Sequence, residues 1–175
     1  MTSKSLLILV EGDDDKKFFS RVIQPEMKKL YQTVTIDDYK QRSPRRVKEE
    51  KIKPFSRAGF DCMFVADADK ESSEQIKRAS LAKEYGVKED KIVVVVRAIE
   101  GWYLAGLNEE RCKKFKVSNK STDSLSKSHF KHICSQKGMT SYEFKTKILN
   151  YFSIPAAKRK NESFNRFAIK YGCGA

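Results

Sequence analysis

Two of the chain's apolar runs end abruptly in carboxylates. Leu6–Val10 (LLILV) runs into Glu11, Gly12 and Asp13–Asp15, and Asp61–Ala66 (DCMFVA) runs into Asp67, Ala68 and Asp69. Burying several like charges side by side is costly, so they must be gathered where a cation or shared protons offset their repulsion. That requirement narrows the folds available to the chain.

The apolar runs read as strands. Leu6–Val10 is continuous and ends before Gly12, as expected of a strand buried on both faces in a parallel sheet. Thr33–Ile36 (TVTI), Asp61–Ala66 and Ile92–Val96 (IVVVV) supply three more. Between them lie helical patterns. Asp13–Asp15 offer an N-cap and acidic first turn ahead of Phe18, Phe19, Val22 and Ile23, with Pro25 expected to kink or restart that helix. Ser43 and Pro44 make an N-cap and first-turn pair for a basic helix, and Ser73 to Gly86 frames another. Alternating strand and helix predicts an α/β fold: a mostly parallel, Rossmann-like four-stranded sheet flanked by helices.

After Glu100 no strand is expected. Thr140–Glu143 is a capping box ahead of Phe144, Ile148 and Phe152, Pro155 is expected to end that helix, and Asn161 caps a last one. Residues 116–128 are polar and read as a mobile loop. The expected organisation is an α/β core over residues 1–107 and a basic helical extension over 108–175, packed on that core.

Charge separates along the same line. The 175 residues carry 36 Lys+Arg against 23 Asp+Glu, a net +13. Residues 1–110 hold 21 basic and 20 acidic side chains, whereas 111–175 hold 15 basic and only Asp123, Glu143 and Glu162. A second basic stretch, Lys40–Arg57, has eight Lys+Arg and two Glu. Such asymmetry fits a polyanion-binding surface, because each cation near a phosphate releases condensed counterions. Nucleic acid is the expected partner, DNA ahead of RNA. A membrane surface is not expected, because the basic segments lack an apolar face with Trp at its rim. No apolar run is long enough for a signal-peptide core, so the chain is expected to be cytoplasmic. The four cysteines are widely spaced and read as free thiols.

The acids fall on a common edge. Glu11 follows the first strand, Asp67 and Asp69 the third, and Glu100 the fourth. In a parallel sheet every strand points its carboxyl end the same way, and open α/β sheets bind ligands there. Asp15, four residues beyond Glu11, lies about one helical turn further on. Oxygen ligands in this number suit one or two Mg²⁺ or Mn²⁺ ions. The simpler account, helix capping by each acid, covers Asp13–Asp15 but not Glu11, nor Asp67 and Asp69 together.

A strand ending in E-G followed by a later strand ending in D-x-D, here L-V-E11-G12 and F-V-A-D67-A-D69, resembles the Toprim domain of topoisomerases, primases and several nucleases. With Asp15 and the acid in AIE100GWYLA, residues 5–107 resemble the Toprim part of the OLD (overcoming lysogenization defect) nucleases in a small stand-alone form. The resemblance implies a divalent-metal-dependent phosphodiester hydrolase. Glu11, Asp67 and Asp69 would hold the catalytic ion or ions, and Asp15 and Glu100 would complete a second site. Glu11 is open to a second role, as general acid/base. OLD nucleases also place a basic residue near the scissile phosphate; Lys158, Arg159 and Lys160 are the candidates here, with Lys158 and Lys160 foremost. Larger OLD proteins carry an ATPase domain. This chain has no G-x-x-x-x-G-K-[ST] motif, so ATP dependence is not expected of it, and a separately encoded ATPase stays open as a partner.

The alternative is a Toprim-like module that binds nucleic acid without chemistry, or the partner subunit of such an ATPase. A receiver-type phosphoacceptor also has acids after strands one and three, but it requires a Lys after a fifth strand. His129, His132, Cys134 and Cys112 do not complete a zinc spacing. Trp102 and Tyr103 are expected to pack, as are the rows Phe144/Ile148/Phe152 and Phe164/Phe167/Tyr171.

Overall fold

A computed structural model describes residues 4–68 and 73–175. The chain forms two compact units, Met1–Val95 and Val96–Ala175, which divide earlier than the expected boundary at 107/108.

The first unit is α/β. Strands β1 (Ser5–Val10), β2 (Thr33–Asp38), β3 (Asp61–Asp67) and β4 (Ile92–Val95) form one all-parallel sheet in the order β2-β1-β3-β4. Leu6–Val10 are all buried, which is why that strand is a continuous apolar run rather than an alternating one. On one face Leu7, Leu9, Phe64, Ala66, Ile92 and Val94 form a core with Tyr39, Val47, Leu81 and Tyr85. Leu6, Ile8, Val10, Met63, Val65, Val93 and Val95, of opposite parity along the strands, are buried too. Helices flank the sheet, in a Rossmann-like arrangement: α1 (Asp13–Phe18) and α2 (Gln24–Met27), then α3 (Pro44–Val47) and α4 (Lys53–Arg57), then α5 (Glu74–Tyr85).

Two prolines are absorbed in the same way. Pro25 restarts the helical run as expected, in the first turn of α2, after a π-helical turn, Phe19–Ile23. Lys48–Ile52 is such a turn ahead of Pro54 in α4. A proline ring displaces the carbonyl four residues back and offers no N–H, and a wider turn relieves both conflicts without ending the helix. The N-cap of α1 is Gly12, so all three aspartates 13–15 occupy its first turn. Ser43 and Ser73 cap α3 and α5 as their sequences predict.

The second unit is helical among the described residues: α6 (Ile99–Ala105), α7 (Glu109–Phe115), α8 (Lys127–Gln136), α9 (Ser141–Leu149), α10 (Ile154–Lys160) and α11 (Glu162–Tyr171). Its core explains why α6 belongs here. Trp102 is fully buried, 5.1 Å from the Phe164 ring and 5.2 Å from the Phe167 ring. The capping box at Thr140 and the Asn161 cap form as expected. Pro155 begins α10 instead of ending α9, occupying a first-turn position that needs no N–H donor.

Residues 116–126 form a loop, as expected, and Thr122 anchors it. Thr122 N–H donates to Lys160 O at 2.9 Å, and its hydroxyl donates to Gly101 O at 2.8 Å. From there Asn161, Ser163 and the Trp102 indole continue a buried chain of hydrogen bonds. No helix among the described residues is long and apolar enough to cross a membrane.

Two outcomes are expected. A Cβ at Gly106 would run into the Phe152 ring. Gly106→Ala should therefore cost about 1–3 kcal/mol in urea melts, as overpacking does. At the start of β3, Asp61 accepts from Tyr31 (3.0 Å) and Lys91 (2.6 Å). Burial first, then the Asp61 carboxylate, pushes the Tyr31 phenol from 10.0 up to about 12. Because the folded value is raised, this stabilisation is complete below pH 10.0 and is lost as pH climbs through about 12. Tyr31→Phe should flatten the urea midpoint over that window.

Candidate active site

Between β1 and β3 the sheet order reverses: the chain leaves β1 for β2 on one side and returns to β3 on the other. The carboxyl ends of those two strands flank the switch point, where α/β sheets open a crevice. Glu11 is the first residue after β1, and Asp67 is the last of β3. The two are joined, with the Asp67 backbone N–H donating to Glu11 Oε1 at 3.3 Å. Lys40, just past β2, donates to Glu11 Oε2 at 3.2 Å.

Asp15 and Asp67 are only 8% and 6% exposed. Tyr39 registers how close the acids lie. Its phenol donates to Val65 O at 3.1 Å, and its pKa is pushed far up, first by burial and then by Glu11, Tyr85, Asp15 and Asp67. Three of the expected acids thus act on one buried ring and share one neighbourhood. The end of β2 adds Asp37 and Asp38. Burial pushes the Asp37 carboxyl up, but the Lys51 hydrogen bond at 2.6 Å and nearby Arg42 outweigh it and hold the group below its usual range. Lys16 stands 3.9 Å from Asp38. Asp69 lies outside the described residues.

No protein-family model, curated protein or solved structure matches the chain. The site therefore has to be read from its own chemistry. Among the described residues no group of three or more His, Cys, Asp or Glu side chains is close enough to hold a metal ion. Glu11, Asp15 and Asp67 carry carboxylate oxygens, the donor type a hard divalent cation prefers over zinc or copper.

The remaining expected residues lie in the second unit. Glu100, 6% exposed, sits in the first turn of α6. Its Oε1 accepts from Lys145 Nζ at 2.8 Å, and Lys145 is itself 2% exposed. The ammonium also lies 5.5 Å from the Tyr103 and Phe130 ring centres. Glu100 Oε2 is buried and accepts no hydrogen bond from a described residue. Lys160 is buried with its donors turned inward, to Leu107 O, Asn119 Oδ1 (3.3 Å) and Cys112 Sγ (3.4 Å). Lys158 is half-buried and Arg159 exposed, and Arg159 lines a cleft of about 290 Å³ with Asn108 and Asn119. His129 and His132 lie exposed on α8, and His132 shares a hydrogen bond with Gln136.

Sequence reasoning missed Lys40, Tyr39 and Lys145. Lys40 and Tyr39 directly follow β2, and the carboxyl-edge rule that selected Glu11 would have reached them. Lys145 carries no such signal: in sequence it is one of many lysines, and only packing reveals that it is buried against a carboxylate.

Removing one partner of a buried ion pair strands the other charge. Lys145→Ala should destabilise the protein by about 3–5 kcal/mol in denaturant melts, and adding Glu100→Gln should recover part of the loss. Equal stability of Lys145→Ala and wild type would mean that the pair is not desolvated in solution.

Proposed function

We propose that the protein is a Toprim-type, divalent-metal-dependent nuclease that hydrolyses phosphodiester bonds of nucleic acid, DNA ahead of RNA, in the cytoplasm. One observation carries the reading. Glu11 and Asp67 come from two strands that flank the switch point and are tied to each other there, with Asp15 in the same electrostatic neighbourhood. A binding module would gain nothing from acids that repel phosphate at its centre.

In this reading Glu11, Asp15 and Asp67 would hold one or two Mg²⁺ or Mn²⁺ ions, with Asp69 as the resemblance implies. The bound ions would supply activation of a water and stabilisation of the leaving oxygen. The chain's own groups do the rest. The Asp67 N–H and Lys40 hold the Glu11 carboxylate by one oxygen each, fixing its orientation. Lys40 is exposed, so its ion pair is weak and it is available to move to an incoming phosphate. Arg42, Lys51 and the other cations of 40–57 offset the acids and draw the polyanion towards the edge. Of the basic candidates, Lys158 and Arg159 suit phosphate contact better than Lys160, whose donors are occupied within its own unit. A separate ATPase is compatible with this assignment and not required by it.

The test is cleavage of single- and double-stranded DNA and RNA with Mg²⁺ or Mn²⁺. Asp67→Ala should abolish cleavage, by at least about a hundredfold on the scale of lost metal-site residues, with the fold retained by circular dichroism. Undiminished cleavage by that variant would sink the proposal. Binding without turnover on every substrate would replace it with the non-catalytic module.

A further inference from the structure

The aromatic rows of the helical unit are mostly spent on its core: Phe144, Phe164 and Phe167 are buried. Tyr151, at the end of α9, is different. It is 40% exposed and dressed with cations. The Arg111 guanidinium lies 4.0 Å from its ring centre and the Lys114 ammonium 6.0 Å away, while Phe115 supports the ring at 6.0 Å. Asn108 fixes the turn that presents Arg111 by accepting from its backbone N–H.

Among the described residues the half-buried Arg111 guanidinium meets the Tyr151 ring and donates to no acceptor. On the same helix Lys113 and Lys114 are exposed, and Lys116 follows it, exposed. Lys113 meets only a surface partner, Glu109, at 2.8 Å. The 96–175 unit as a whole carries 16 basic and six acidic side chains. A flat aromatic–guanidinium surface set among cations matches one chemistry: an unstacked base with phosphates on either side. Bases inside a duplex are stacked on one another and cannot reach a platform of this kind.

We infer that the Arg111–Tyr151 stack is a docking platform for single-stranded nucleic acid, with Lys113, Lys114 and Lys116 tracking its backbone. The inference rests on the nucleic-acid part of the proposed function and assigns that function a substrate form.

The test is fluorescence anisotropy of labelled oligothymidylate, oligouridylate and a hairpin DNA duplex, in EDTA so that cleavage does not intervene. Wild type should prefer one or both single strands to the duplex. Tyr151→Ala should weaken single-strand binding by about tenfold, the scale of one lost base stack, and leave duplex binding unchanged. Tyr151→Trp should preserve it. Arg111→Lys, which keeps the charge and loses the plane, should weaken single strands as well. Thermal melts confirm that each variant is folded. Equal losses on single strands and duplex, or no loss at all in Tyr151→Ala, would overturn the platform. Single-strand binding lost in Tyr151→Ala without any cleavage by wild type would refute the nuclease and sustain the platform. Cleavage with unaltered binding by Tyr151→Ala would do the reverse.

Discussion

The first unit depends on a repulsion that it has to manage. A parallel sheet points every strand's carboxyl end the same way, so Glu11, Asp37, Asp38 and Asp67 are delivered to one edge, with Asp15 one turn into α1. Local devices offset the crowding. A backbone N–H and Lys40 each take one oxygen of Glu11, and Lys51 and Arg42 neutralise Asp37.

The helical unit solves a different charge problem. Its excess of cations is mostly solvated, but Lys145 and Lys160 are drawn inside. Lys145 is matched by a carboxylate and two aromatic rings, and Lys160 by a carbonyl, an amide oxygen and a thiol. Buried ammonium groups survive only with such complete compensation. The partners are far apart in sequence, and this is why neither lysine could be told from its solvated neighbours by composition.

Particular elements show where sequence logic held. The burial of Leu6–Val10 and the caps at Ser43, Ser73, Thr140 and Asn161 follow from local chemistry and were legible. Pro25 restarts its helical run behind a wider turn, as its local conflict predicts, but Pro155 opens a helix where it was expected to end one, because the surrounding packing decides where a helix stops. The 116–126 segment looked like loop by composition, and Thr122 anchored it through partners nearly forty residues away.

The sequence by itself determined the α/β class, the strand ends that carry acids and the imbalance of charge between the two parts of the chain. These follow from periodicity and residue type, which act over one or two turns or strands. Only the tertiary structure decided the strand order, and with it which two acid-bearing strands flank the switch point. It also decided that α6 packs with the helices and that Lys145 and Lys160 face inward. Those outcomes arise from side-chain packing and hydrogen bonding between residues distant in the chain, which no local pattern encodes.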